Sequence, residues 1–201
     1  MRIKMKYKRI GVMCGSSEAC PEKYLNMAYK IGQELAIHQH EVIYGGGAKG
    51  LMRKVADGAL DKNGIVHGYM PLFMKEVEWQ HPALTNLHIT ADMAERKHLM
   101  MTESDATIFL PGGCGTMEEF FEWLSSKRLG KYLGPLIIVN FEGYYDSLLQ
   151  LLQKMEEEKF HNPIHKKMWS VCHSSEDLIA TLENAPAWMD NAIEHASVMK
   201  K

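Results

Sequence analysis

Residues 108–120 read IFLPGGCGTMEEF. An apolar run of strand type meets a proline, two glycines and one further residue, and then Gly115 and Thr116. The glycines let backbone N–H groups point into the turn with no Cβ in the way. Thr116 is placed to cap the helix that follows, and Glu119 stands three residues on, at the capping-box position. The spacing predicts strand, tight turn, helix. A helix start suits an anion, because its first amides are unpaired and its dipole favours negative charge. These residues leave two readings open, a phosphate cradle or a plain strand–helix turn.

Outward from this segment the same alternation recurs. Arg9–Met13, Glu41–Tyr44, Ile65–His67, Leu87–Thr90, Leu136–Val139 and Met168–Cys172 read as further strands. Helices are expected from Pro21 to about Gln39, over Leu51–Leu60, over Met93–Glu103 behind an Asp92 cap, from Thr116 to about Leu129, and over Tyr144–Glu158. A short helix capped by Ser174 or Ser175 ends before Pro186. The stretch Gly68–Thr85 carries two prolines and is expected to be an irregular loop with one helical turn. Strands joined by crossover helices imply an α/β fold, a doubly wound, mostly parallel sheet with helices on both faces. One domain over residues 1–185 is expected, with a helical or frayed tail over 186–201. In such folds ligands sit beyond the carboxyl ends of the strands. Three glycine-bearing turns fall there: Gly15–Ser17, Gly45–Gly47 and Gly112–Thr116.

Composition narrows the function classes. The chain has 201 residues, 46 % hydrophobic and 24 % charged, an ordinary globular mixture. The formal net charge of −2 argues against a broad basic surface for nucleic acid. Apolar stretches fall far short of the roughly 18 residues of a spanning helix, and no signal peptide is visible, so no membrane partner and a cytoplasmic location are expected. The four cysteines form no CxxC pair. His38 and His40 read as surface residues, and Pro163 spoils a helical pair of His161 and His165, so no metal is expected.

The second glycine turn, YGGGAKGLM (44–52), is neither a dinucleotide fingerprint nor a Walker A loop, since Lys49 is followed by Gly50 and Leu51. Ser16 and Ser17 either donate to a ribose or phosphate or cap a turn. Arg96 and Lys97 stand near a helix start, where basic residues oppose the dipole. Arg96 is suited to hold an anion by its fork of donors. Met93 on the same helix reads as core filler.

The ordered motifs resemble one family. PGGCGTMEE (111–119) is similar to the PGGxGTxxE motif of the LOG proteins, the cytokinin riboside 5′-monophosphate phosphoribohydrolases formerly mislabelled as lysine decarboxylases. MAERK (93–97) matches the family's MxxRK segment, and CGSS (14–17), YGGGAKGLM (44–52) and NFEGYYDSLL (140–149) align in order. The resemblance implies a Rossmann-like homodimer. It also implies hydrolysis of the N-glycosidic bond of a nucleoside 5′-monophosphate, AMP or an N6-modified AMP, with no cofactor. Arg96 and Glu119 match the catalytic pair, and Gly112, Gly113, Gly115 and Thr116 match the phosphate-binding turn. The remaining motifs place Gly15, Ser16, Gly45, Gly46, Gly47, Met93 and Lys97 around the substrate. Glu119 would stabilise charge on the ribose, position water or bind ribose hydroxyls; Arg96 would hold phosphate or assist the leaving base. Arg53 stands where many members carry glycine, which leaves the preferred base open. A nucleotide or molybdenum-cofactor carrier is the alternative. Amino-acid decarboxylation would need a pyridoxal phosphate lysine, and Lys49 and Lys97 sit where phosphate contacts suffice.

Overall fold

Seven strands with mostly buried, β-branched or aliphatic side chains line up in one sheet: β1 (Arg9–Met13), β2 (Glu41–Tyr44), β3 (Val66–Pro71), β4 (Asn86–Thr90), β5 (Ala106–Phe109), β6 (Leu136–Val139) and β7 (Trp169–Cys172). The computed structural model describes residues 6–75, 77, 80–189 and 191–196. The strand order is β4-β3-β2-β1-β5-β6-β7, and every pairing is parallel. Successive side chains leave a strand on opposite faces, and the core divides accordingly. Ile10, Val12, Val42 and Tyr44 join one buried cluster. Met13, Ile43 and Phe109 join the other.

Helices cover both faces. The first cluster takes in α1 (Glu22–Ile37), α2 (Gly50–Asp61) and α6 (Leu178–Glu183). The second takes in α3 (Met93–Glu103), α4 (Cys114–Arg128) and α5 (Asp146–Glu157). The fold is thus the expected doubly wound, Rossmann-like one. The chain builds outward from β1 to β4, then returns to lay β5 against the other side of β1. The connections leaving β1 and β5 diverge there, which opens a crevice at their carboxyl ends.

Most elements match their sequence patterns within a residue or two. The Asp92 carboxylate accepts from the Glu95 N–H at 2.8 Å, the cap expected for α3. Three expectations are corrected. β3 runs on to Pro71, through part of the stretch read as irregular, because its partner β4 pairs with it as far as Thr90. The rest of that stretch begins with a 3-10 turn over Leu72–Lys75. α4 begins at Cys114, so Thr116 lies inside it and is not its cap. Gly113 holds the extended cap position, and the Thr116 side chain packs against Gly112, where any Cβ would overlap its hydroxyl. No capping box forms between Thr116 and Glu119, which leaves the glutamate carboxylate available. His40, read as a surface residue, is buried, with its Nδ1 2.8 Å from the Tyr7 carbonyl oxygen. Beyond Pro186, Trp188 and Ala192 are buried, and a 3-10 turn spans Ala192–His195.

Candidate active site

Three chain segments meet at the crevice. The Gly15 N–H donates to the Pro111 carbonyl at 3.0 Å, and the Leu51 N–H donates to the Gly15 carbonyl at 3.0 Å. Gly50, with φ of +56°, lies directly against Ser16 and Ser17, which a side chain there would displace. The β1 and β5 turns and the start of α2 are thereby locked together. Beside them a cavity of about 280 Å³ is lined by Gly15, Ser16, Met93, Arg96, Gly113, Gly115, Thr116, Glu118 and Glu119. The first turn of α4 opens into it, and amides at a helix start have no intrahelical acceptor. The site therefore offers several N–H donors and the positive end of a dipole.

Arg96 and Glu119 come from facing helices, α3 and α4. Each is only 8 % exposed. The Arg96 Nε donates to the Tyr69 carbonyl at 3.0 Å, its Nη1 lies 3.6 Å from the Met93 sulfur, and its Nη2 stands 3.8 Å from Glu119 Oε1. That last separation is an ion pair without a hydrogen bond, so both groups keep bonding capacity for a ligand. Burial raises the Glu119 carboxyl above its ordinary range; the Arg96 charge opposes the shift and the Glu118 charge adds to it. Gly45 backs the guanidinium so closely that any Cβ would overlap Nη2. The glycine is required there for space.

The other expected site residues separate into groups. Gly112 lines an adjoining cavity of about 300 Å³ with Ser17, Tyr24 and Tyr144, and this cavity shares Gly15, Ser16 and Gly113 with the first. Gly46 and Gly47 line neither cavity. The Gly46 carbonyl accepts from the His81 N–H at 3.0 Å, and the Gly47 carbonyl accepts from the Tyr44 hydroxyl at 3.2 Å. Their carbonyls thus brace the turn behind Arg96. Lys97 bonds across to α4, to Glu118 and, at 2.7 Å, to Glu122. Burial alone would lower its ammonium pKa, but these two carboxylates outweigh it and raise it. Cys14, Met52 and Met74 also line the first cavity and were not singled out from sequence. Met52 closes the YGGGAKGLM motif, which is a usable signal; Met74 sits on the 3-10 turn and carried none.

Comparison with known proteins bears on this geometry. The family model described as "Possible lysine decarboxylase" matches residues 52–182. A cytokinin riboside 5′-monophosphate phosphoribohydrolase of Arabidopsis thaliana is 36 % identical over 184 residues, covering 92 % of this chain and 86 % of that one. Another of the same name, from Rhodococcoides fascians, is 38 % identical over 178 residues, covering 88 % of this chain and 90 % of that one. Among solved structures, the molybdenum cofactor carrier protein of Chlamydomonas reinhardtii superposes with a TM-score of 0.68 at 20 % identity, covering 89 % of this chain and 97 % of that one. That likeness shows the fold alone. The buried Arg96–Glu119 pair, the glycine turn ahead of α4 and the extent of the sequence match agree: this chain belongs to the LOG family, the cytokinin riboside 5′-monophosphate phosphoribohydrolases that also carry the lysine decarboxylase label.

Proposed function

We propose that this protein hydrolyses the N-glycosidic bond of a nucleoside 5′-monophosphate, AMP or an N6-modified AMP, releasing the free base and ribose 5-phosphate. The observation that carries the reading is the buried Arg96–Glu119 pair beside the open first turn of α4. The phosphate dianion sits on the amides of the Gly113–Thr116 turn, with the Ser16 side chain at its edge. The ribose then lies over Glu119. As the C1′–N bond breaks, positive charge grows on the ring, and a carboxylate held in a water-poor pocket stabilises it more than bulk solvent would. Water supplies hydroxide to C1′ and a proton to the departing base. Arg96 faces the same space and stabilises negative charge on the phosphate or the leaving base. Met52, Met74 and Met93 offer the base a polarisable apolar wall. Lys97, bound to Glu118 and Glu122, holds α3 against α4.

The working form is a homodimer in the cytoplasm, and its ligand is a free mononucleotide, with no nucleic-acid partner. Partly buried Leu99 and Met101 on α3, and Met117 and Phe121 on α4, support a second copy seated there. Among the described residues no helix is long and apolar enough to cross a membrane.

A panel of nucleoside 5′-monophosphates, with the matching nucleosides, tests the activity by chromatography. Adenine and ribose 5-phosphate should appear from AMP, and free base from N6-modified AMP. Cleavage of adenosine with AMP inert would refute the phosphate turn as the anchor.

A further inference from the structure

The segment NFEGYYDSLL (140–149) takes no part in the chemistry above, yet it reaches the phosphate turn, with Tyr144 on the wall of the adjoining cavity. The buried Tyr145 hydroxyl donates to the Leu110 carbonyl at 2.6 Å. The Tyr144 hydroxyl donates to the Gly112 carbonyl at 2.7 Å. Between them, the Pro111 carbonyl accepts from the Gly15 N–H at 3.0 Å. Three successive carbonyl oxygens are thus each committed to a donor of the protein itself. The next, that of Gly113, accepts from the Met117 N–H at 3.1 Å and starts α4.

The geometry of 140–146 aims the two phenols. Asn140 is buried; its Oδ1 accepts from the Tyr145 N–H at 2.7 Å and its Nδ2 donates to Asp146 at 2.8 Å. Glu142 and Gly143 take left-handed conformations, with φ of +50° and +75°, so the chain doubles back before α5. Peptide groups in a glycine turn flip at small cost, since no Cβ resists. The ring of Pro111 fixes its φ and so holds the 110–111 peptide, but a flip of the 112–113 peptide, between two glycines, would swing the Gly112 carbonyl oxygen, a partial negative charge, toward a bound dianion. The Tyr144 hydroxyl on that oxygen opposes it.

We propose that Tyr144 is a positioning residue for phosphate recognition: its hydroxyl holds the Gly112 carbonyl turned away, so that the turn presents only N–H groups, while Tyr145 pins the strand end at Leu110. The proposal rests on the reading of this turn as the phosphate site. Tyr144 is exposed, so Tyr144→Phe keeps the ring and puts no buried packing at risk. Tyr145→Phe and the double variant extend the test, with melting temperatures measured on each.

Calorimetric titration with ribose 5-phosphate reads the turn directly, and AMP kinetics read it during turnover. Tyr144→Phe should weaken ribose 5-phosphate binding and raise KM about five-fold, in line with one lost hydrogen bond. Tyr145→Phe alone should move both far less, and in each variant kcat should change much less than KM. A merely structural tyrosine would lower the melting temperature and leave KM alone. Wild-type dissociation constants and KM in a folded Tyr144→Phe would overturn the proposal while leaving the hydrolase reading intact. A wild-type protein that neither binds ribose 5-phosphate nor cleaves AMP would end both.

Discussion

Glu119 and Arg96 sit one on each side of the cleft, and their 3.8 Å separation is the most informative distance in the molecule. A closer, bidentate pair would satisfy itself; a wider gap would leave two buried charges uncompensated. The absence of a capping box at Thr116 sharpens what Glu119→Gln will mean, because no helix cap is removed with the charge. Glu119→Gln should lower kcat about 100-fold or more with KM little changed, the signature of an interaction made mainly in the transition state. Near-normal turnover by the folded variant would remove Glu119 from the chemistry. Acid should act through the same group. Burial raises its pKa above the ordinary 4.5, and the charged form is the useful one, so activity falls as pH drops through the raised value. The acid limb of kcat/KM should therefore lie above pH 4.5, and a limb at or below it would mean the carboxylate is better solvated than its burial implies. Both residues were legible in MAERK and PGGCGTMEE through family resemblance. Lys97, their neighbour in the same motif, was equally legible, yet its destination on Glu118 and Glu122 was not, because that depends on which helix packs opposite.

At the scale of elements, α4 carries the site at one end and an unusual anchor at the other. Lys127 is fully buried, with its ammonium donating to the carbonyls of Leu133, at 3.3 Å, and Gly134. The Lys127 carbonyl in turn accepts from the Trp188 indole at 2.7 Å. One residue thus ties the end of α4 to the loop entering β6 and to the segment after Pro186. Burial lowers its pKa to about 8. Below that value the folded and unfolded chains both hold the proton, and the folded state bears the full cost of a buried charge. Between about 8 and the ordinary 10.5 the unfolded chain binds a proton the folded one has released, so this residue's contribution to stability rises with pH. Melting temperatures of wild type and Lys127→Met at pH 7.5 and 9.5 check it: the difference should move in favour of wild type at the higher pH. A constant difference would show that Lys127 stays charged. The boundary of β3 differs from its sequence reading for a related reason. Pro71 and Gly68 look like loop residues, but an edge-strand partner in β4 keeps them in the ladder.

For the whole molecule, the sheet order decides that there is a site at all. Strands β1 to β4 build in one direction, and β5 returns beside β1, so the CGSS and PGGCG turns face each other although nearly a hundred residues separate them. A homodimer is the common symmetric solution for partly buried apolar helix faces such as those of α3 and α4. Light scattering should give twice the monomer mass of 22.9 kDa; the monomer mass itself would refute a stable pair. The sequence by itself determined the alternation of strands and helices and the glycine turn ahead of α4, and its resemblance to the family singled out Arg96 and Glu119 as the candidate catalytic pair. The first two follow from local chemistry, hydrophobic period and glycine where a Cβ will not fit; the pair follows from motifs in a recognisable order. Only the tertiary structure decided that Gly45 makes room for Arg96, that Lys97 is spent on α4, and that Tyr144 and Tyr145 hold the turn's carbonyls. Each of these is a contact between segments far apart in the chain. Its outcome depends on which surfaces the folded sheet brings together, and no local pattern encodes that.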